Sequence, residues 1–289
     1  MLNIAVVGGG GLIGKRHCQH VLGNPRTTLC AIVDPTDAAS VLADEHDVAC
    51  YKNVAELLGS VHRPDAAIVC TPNHTHVDVG IQLARAGVHI LCEKPISSDQ
   101  ASAASLVKAV EECNVKLLVG HHRRFNPYMQ ALKKVVDSGV LGQIIAVNGL
   151  WTTIKPSEYF QGINSWRRDK ASGGPILINL IHDVDLMHFL FGPIASVHAE
   201  STPSQRPNGV DAAEEGAAIL FKFESGLVGT FLISDNVASP HSFEQGSGEN
   251  PHLPKTGKDF YRIFGAKGTI SFPDMTLSSY DAWTPRGIM

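Results

Sequence analysis

The sequence predicts an α/β protein in two parts. Residues 1–120 form a doubly wound parallel sheet, and residues 121–289 an α+β domain with a large, mostly antiparallel sheet. Three observations predict it. Short apolar runs alternate strictly with helical patterns up to about residue 120. A glycine-rich turn joins the first apolar run to the first helical pattern. Beyond residue 120, β-like runs follow one another with Gly and Pro turns between them. A chain of 289 residues suits about two domains.

In the first part the strands are read at Asn3 to Val7, Thr28 to Val33, Ala66 to Cys70, Val88 to Cys92 and Lys116 to Val119. Continuous apolar runs of this length fit strands buried on both faces, as in a parallel sheet. Val77, Gly80, Ile81 and Ala84 recur at i, i+3, i+4 and i+7, and Gly87 stops the pattern as a glycine past a helix end does. Ala103, Leu106, Val107 and Val110 repeat the pattern after Ser98 and Asp99, which can cap a helix start.

In the second part Asn126 to Ser138 and Ile178 to Phe191 read as helices. Gln143 to Thr153, Ala217 to Phe223, Leu227 to Ser234, Tyr261 to Phe264 and Thr269 to Phe272 read as strands. Ser239 to Lys258 reads as a long loop, rich in Pro, Gly, Ser and Asn.

Composition excludes several classes. Hydrophobic residues make up 44% and charged residues 18%, an ordinary globular balance rather than a disordered one. The net charge of −4 gives no basic surplus for nucleic acid or an anionic membrane. No apolar run approaches the roughly 20 residues that span a bilayer, and the N-terminus lacks the basic start of a signal peptide. The reading is a cytoplasmic protein. Six cysteines are scattered with no C-x-x-C pair, and they read as buried thiols.

The turn after the first strand is Gly9-Gly10-Gly11-Leu12-Ile13-Gly14, a G-x-G-x-x-G that opens a helix. Asp34 closes the second strand, twenty residues after Gly14. That spacing suits a carboxylate on the adenosine ribose of a dinucleotide. Gly9 is assigned the tight turn, Gly11 the close approach of backbone to pyrophosphate, and Gly14 the packing of helix on strand. Free N–H groups at the helix start, including those of Leu12 and Ile13, face the phosphates. A phosphate-binding P-loop is the other reading of Gly9 to Lys15, but it needs Ser or Thr where Arg16 stands. Asp34 favours NAD over NADP, because a carboxylate repels a 2′-phosphate. The strand, glycine turn, helix and acid together predict a Rossmann domain.

Further stretches carry a resemblance: Gly14-x-x-His17, Thr71-Pro72-Asn73-His74-Thr75-His76, Glu93-Lys94-Pro95, Arg123-Arg124-Phe125-Asn126-Pro127, and Gly173-Gly174 leading to His182-Asp183-Val184-Asp185. Over most of its length the chain resembles the glucose–fructose oxidoreductase and inositol dehydrogenase family (Gfo/Idh/MocA). The resemblance implies a Rossmann domain followed by an α/β domain whose open sheet mediates oligomers. It also implies oxidation of a secondary alcohol on a sugar, polyol or cyclitol with NAD or NADP. Alcohol oxidation sends a hydride to the nicotinamide and a proton to a base, and histidine titrates in the useful range. By resemblance His182 is that base, and Lys94 holds the substrate oxygen and favours the alkoxide. Glu93 and Pro95 fix the turn that aims Lys94. Thr71, Pro72, Asn73, His76, Glu93 and Lys94 line the cofactor groove. Arg124, Trp166 and Arg167 face substrate, with a surface arginine and a core tryptophan as the plain alternatives.

The chain departs from the family at position 178, where Ile178 stands in place of an Asp one turn before the histidine. Asn179 and Asp185 flank His182 on the same helix face, and Asn179 can orient a substrate hydroxyl but cannot act as a base. The alternative function is a dinucleotide-binding sensor of the same fold without turnover. The His74/His76 and His121/His122 pairs lack further ligands at metal spacing, so no metal is expected. Tyr280 to Met289, with Pro285 and Gly287, shows no helical period, so no closing C-terminal helix is expected. Ile219, Phe221 and Phe223 suggest a sheet face for a homodimer or homotetramer.

Overall fold

The computed structural model describes residues 1–206 and 212–279, apart from the side chains of Ile163 and Asn164. The expected absence of a closing C-terminal helix falls on residues 280–289, outside the described residues. The chain divides into two compact units, Met1–His121 and His122–Met289.

The first unit runs β1 (Leu2–Val7), α1 (Leu12–Leu22), β2 (Thr27–Val33), α2 (Asp37–Glu45), β3 (Ala49–Tyr51), α3 (Val54–Leu58), β4 (Ala66–Val69), α4 (His76–Arg85), β5 (His89–Cys92), α5 (Gln100–Glu112) and β6 (Leu117–Val119). All six strands are parallel, in the order β3-β2-β1-β4-β5-β6. The order reverses between β1 and β4, and the carboxyl ends of strands beside such a reversal are where open α/β sheets bind ligands.

Successive residues of β1 serve opposite faces. Ile4 and Val6 pack with Cys18, Val21 and Ile32, whereas Ala5 and Val7 pack with Val69, Leu83 and Leu106. This two-sided burial is why the strands read as continuous apolar runs. Asp99 caps α5 by accepting the Ser102 N–H at 2.8 Å, and Gly87 follows α4 with φ of 75°. β3 escaped the sequence reading because three residues are too few to show a period.

The second unit runs α6 (Pro127–Asp137), β7 (Ile144–Thr152), a single π-helical turn (Ile176–Leu180) that feeds α7 (Ile181–Phe191), β8 (Ile194–Ser201), β9 (Gly216–Phe223), β10 (Val228–Ser234), α8 (Phe243–Ser247), β11 (Tyr261–Gly265), β12 (Gly268–Phe272) and β13 (Leu277–Ser279). Its seven strands form one sheet in the order β13-β12-β11-β7-β10-β9-β8. The sheet is antiparallel except for the β7/β10 pair, which is parallel with Val228 beside Ala146. The stretch read as one long loop contains α8, whose five residues are too few for a helical period.

One face of this sheet packs with Met129, Leu132, Leu186, Met187 and Leu190 of α6 and α7. Ile219, Phe221 and Phe223 lie on that inner face, each at most 6% exposed. They belong to the chain's own core, which corrects their assignment to an oligomer surface. Alternation along β9 and β10 puts Leu220, Val228 and Leu232 on the opposite, exposed face. No helix of the described residues is long and apolar enough to cross a membrane.

Candidate active site

In the first unit, the loop after β1 is built by close packing. Gly8, not Gly9, takes the left-handed backbone, with φ of 88°, and its N–H donates to the Val33 carbonyl at 2.7 Å. A Cβ on Gly8 would lie 2.7 Å from the Cys70 carbonyl group. The expected role of Gly9 is thereby corrected. Gly9 clears the Ile32 side chain, which a Cβ would approach to 2.5 Å. A Cβ on Gly14 would overlap the Gly8 carbonyl oxygen, so Gly14 does let α1 sit against the loop.

Gly11 differs from the others. A Cβ there would meet only the Gly8 carbonyl oxygen, at 3.5 Å. Gly11 caps α1 in an extended conformation, with no side chain capping the helix and no acid in its first turn. The amides of Leu12, Ile13 and Gly14 therefore point from a positive helix end into open space, an anion site in backbone geometry. These residues fit the pyrophosphate of a dinucleotide.

Asp34, at the end of β2, is tied into the loop. Its Oδ2 accepts the Gly10 N–H at 3.0 Å. Its Oδ1 accepts the Thr36 N–H at 2.9 Å and the Thr36 hydroxyl at 2.6 Å. The carboxylate is thus fixed beside the glycine loop, where the ribose reading needs it.

Two further turns leave the carboxyl ends of β4 and β5. After β4, Asn73–Thr75 forms a short 3-10 turn, pinned by the Thr75 hydroxyl donating to Thr71 Oγ1 at 2.6 Å. After β5 come Glu93, Lys94 and Pro95. Glu93 Oε1 lies 2.8 Å from His17 Nε2 on α1, and Oε2 accepts the Lys94 N–H at 3.3 Å. Burial alone would raise the Glu93 carboxyl, but the hydrogen bond and charge of His17, then those of Lys94, outweigh it and hold it below the usual carboxylate range. Glu93 therefore anchors the turn that carries Lys94, and the Gly14-x-x-His17 spacing places its partner one turn into α1.

His76 is 1% exposed. Its Nδ1 lies 2.8 Å from the Pro95 carbonyl oxygen and its Nε2 2.8 Å from that of Thr71. The structure corrects its expected place on the groove surface. His76 is a strut beneath the groove that holds the Thr71 turn and the Lys94 turn together.

In the second unit, His182 is the second residue of α7 and 6% exposed. Asn179 lies in the π-turn before it, and Asn179 Oδ1 accepts from Lys155 Nζ at 2.8 Å. That bond uses the amide oxygen and leaves Nδ2 as a donor. Single π-turns within helices occur often at functional sites.

Lys155, which the sequence reading missed, follows β7. Its Nζ lies 3.6 Å from Asp235 Oδ2, 4.8 Å from the Tyr159 ring and 5.2 Å from the Trp151 ring. Burial brings the ammonium down to about 8, against the pull of Asp235 and Glu244. Arg206 shares Asp235 by a hydrogen bond to its other oxygen.

Arg167 stacks on the other partner of Lys155, with its guanidinium carbon 4.1 Å from the Tyr159 ring and 5.7 Å from Trp166. Trp166 is 40% exposed, so it is not a core residue. A Cβ on Gly173 would overlap the Arg167 carbonyl, which is why that segment can lie against the glycine pair.

The Arg124 side chain is held by Asp185, with Nε donating to Oδ2 at 2.7 Å and Nη2 to Oδ1 at 2.5 Å. That bidentate pair commits one edge of the guanidinium to α7. Neighbouring Arg123 is 3% exposed and surrounded by Glu244, by Glu249 at 3.3 Å and by Asp183 at 3.7 Å, over the Phe243 ring at 4.2 Å. Burial pushes the Asp183 carboxyl up to about 7, although Arg123 and the Tyr261 hydroxyl oppose it. Among the described residues no three His, Cys, Asp or Glu side chains converge as a metal site would require.

Two family models match the chain. The N-terminal model, an oxidoreductase family with an NAD-binding Rossmann fold, matches residues 2–121. The C-terminal α/β domain model of the same family matches residues 133–285. The chain belongs to the Gfo/Idh/MocA oxidoreductase family. It is 29% identical to inositol 2-dehydrogenase of Rhizobium meliloti over 82% of this chain and 69% of that one. It is 26% identical to myo-inositol 2-dehydrogenase of Thermotoga maritima over 93% of this chain and 74% of that one. Among solved structures, the WlbA dehydrogenase of Bordetella pertussis, in complex with NADH and UDP-GlcNAcA, is similar with a TM-score of 0.78. It is 26% identical over 93% of this chain and 73% of that one. The first unit is thus an NAD-binding Rossmann domain and the protein an oxidoreductase.

Proposed function

We propose that this protein is an NAD-dependent dehydrogenase that oxidises a secondary alcohol of a sugar, polyol or cyclitol. The observation that carries the reading is the Glu93-Lys94-Pro95 turn. It is braced by His17 and His76 at the carboxyl end of β5, in a domain whose open Gly11 and fixed Asp34 fit a dinucleotide. Relatives named for inositol oxidation support the substrate class.

NAD, when bound, supplies the hydride acceptor. The chain's own residues do the rest. Leu12, Ile13 and Gly14 offer backbone N–H groups to the pyrophosphate, and Asp34 receives the adenosine ribose hydroxyls and repels a 2′-phosphate. The Lys94 ammonium steadies the substrate oxygen as negative charge develops on it. His182 takes the hydroxyl proton. Lys155, Asn179 Nδ2, Trp166 and Arg167 bind the remaining hydroxyls, with Lys155 in the region where Ile178 offers no carboxylate. In this reading residues 1–120 carry the cofactor, and residues 121–289 carry the substrate groups and the assembly surface. Assembly as a homodimer or homotetramer uses the outer sheet face with Leu220, Val228 and Leu232, and light scattering measures it.

A panel of sugars, polyols and cyclitols with NAD, followed at 340 nm, tests the activity. Turnover of at least one cyclic secondary alcohol is expected. Tight NAD binding with no turnover on any of them overturns the reading in favour of a sensor.

A further inference from the structure

His122 stands at the start of the second unit with its side chain 59% exposed. Its ring meets the ring of His182 edge to face, with centroids 5.2 Å apart and planes at 78°. Its Nε2 lies 3.1 Å from Glu249 Oε1, while Glu249 Oε2 lies 3.3 Å from Arg123 Nε. Arg123, next to His122 in sequence, pairs in turn with Glu244 of α8 and Asp183 of α7 as well as with Glu249.

These placements bear on where a proton goes. His182 is 6% exposed and has little direct access to water. Ile178 supplies no acid one turn before it to share the proton. His122 touches the His182 ring and is open to solvent. An imidazole can take a proton at one nitrogen and release one from the other. The carboxylate beside His122 Nε2 is charged at neutral pH and holds that N–H. Burial would raise the Glu249 carboxyl, but His122 and Arg123 outweigh burial and hold it below the usual range.

We propose that His122 is the proton exit of His182. The proton that the substrate hydroxyl gives to His182 passes across one water to His122 and leaves from Nε2, which Glu249 orients, to bulk water. The hydride goes separately to NAD, so the step needs no further reactant. This inference rests on His182 being the base.

The test uses the full chain, NAD and the panel alcohol that turns over fastest. His122→Gln should lower kcat at least tenfold in dilute, bulky buffer, with the alcohol KM and NAD affinity unchanged. Added imidazole should restore much of the loss, and Glu249→Gln should give a smaller loss. A second readout needs neither NAD nor turnover. The His182 ring signals in an NMR titration should move in two steps in the wild type, sensing His122, and in one step in His122→Gln. An inactive His182→Ala beside a His122→Gln enzyme with wild-type kcat, or with a loss that imidazole leaves untouched, overturns the relay alone. His182→Ala with wild-type kcat, or no turnover of any panel alcohol, overturns the base assignment and the relay with it.

Discussion

Asn179 accepts a hydrogen bond from Lys155 at 2.8 Å, so the residue before the His182 turn is held by a largely buried ammonium rather than by a carboxylate. The ammonium also has Asp235 at 3.6 Å, and its aromatic neighbours keep it from water. Its charge therefore changes near pH 8.

Lys155 is therefore expected to leave a mark on the pH profile. Burial lowers its titration to about 8, so the ammonium is charged below that pH and neutral above it. The alcohol KM should rise as pH passes 8. Lys155→Arg should stay charged and lose that basic limb. Lys155→Met should lack the limb and show a KM about 10- to 100-fold higher, the value of a charge-assisted hydrogen bond. Initial rates from pH 6 to 10 check this, and a limb that persists in Lys155→Met assigns it to another group.

In the proposed reaction Lys94 would act on charge that exists only as the bond breaks. Lys94→Ala should lower kcat by about 100- to 1,000-fold, as removal of a preorganised oxyanion donor does. NAD affinity should stay within about threefold, because Glu93 and His76 still hold the turn. Stopped-flow rates and NAD fluorescence titration separate the two. Loss of NAD binding in step with kcat would make Lys94 a cofactor residue alone.

The sequence showed most of what is local and little of what is distant. Gly14, the Asp99 cap and Gly87 each sit in a pattern a few residues to one turn long, and the sequence makes them legible. Arg123 shows in the sequence only as part of a motif, because its partner Glu244 is 121 residues away, inside a stretch that reads as loop. Lys155 meets Asn179 across 24 residues, through the π-turn that no hydrophobic period announces. β8 was missed because seven of its eight residues are exposed and carry no alternation. The inner face of β9 was visible as alternation, but alternation alone does not say whether the apolar side meets helices or a partner.

The two motif glycines should behave differently. Gly11→Ala places a Cβ where only the Gly8 carbonyl oxygen stands, at 3.5 Å, so stability should change by less than about 1 kcal/mol, the scale of an N-cap change. NAD affinity should nevertheless fall at least tenfold, because the methyl group occupies the pyrophosphate approach. Gly14→Ala overlaps the Gly8 carbonyl and should cost about 1–3 kcal/mol as well as NAD binding. Thermal melts and NAD titration check both, and a Gly11→Ala protein that binds NAD normally moves the pyrophosphate elsewhere.

Asp34 should set the cofactor preference and also steady the loop. Asp34→Ser removes the charge that repels a 2′-phosphate, so the kcat/KM ratio of NAD to NADP should fall by at least tenfold. Because Oδ2 holds the Gly10 N–H, NAD affinity should fall too. A wild-type enzyme that prefers NADP would contradict the ribose assignment.

Asp183 supplies a stability test with a defined sign. Its carboxyl titrates at about 7 in the folded chain because it is buried, against roughly 3.9 in an unfolded one. A raised folded value means that the stabilisation is complete below about pH 4, falls as pH rises, and is lost by the time pH has passed through 7. Asp183→Asn keeps an oxygen for the Tyr261 hydroxyl but cannot ionise. The melting temperature of the wild type minus that of Asp183→Asn should therefore decline between pH 4.5 and 8. Glu93 and Glu249, whose lowered values favour the fold at higher pH, are present in both proteins and cancel in the difference. Calorimetry at four pH values measures it. A difference that is flat across that range would mean that Asp183 is already ionised at pH 4.5 and that Arg123 outweighs burial.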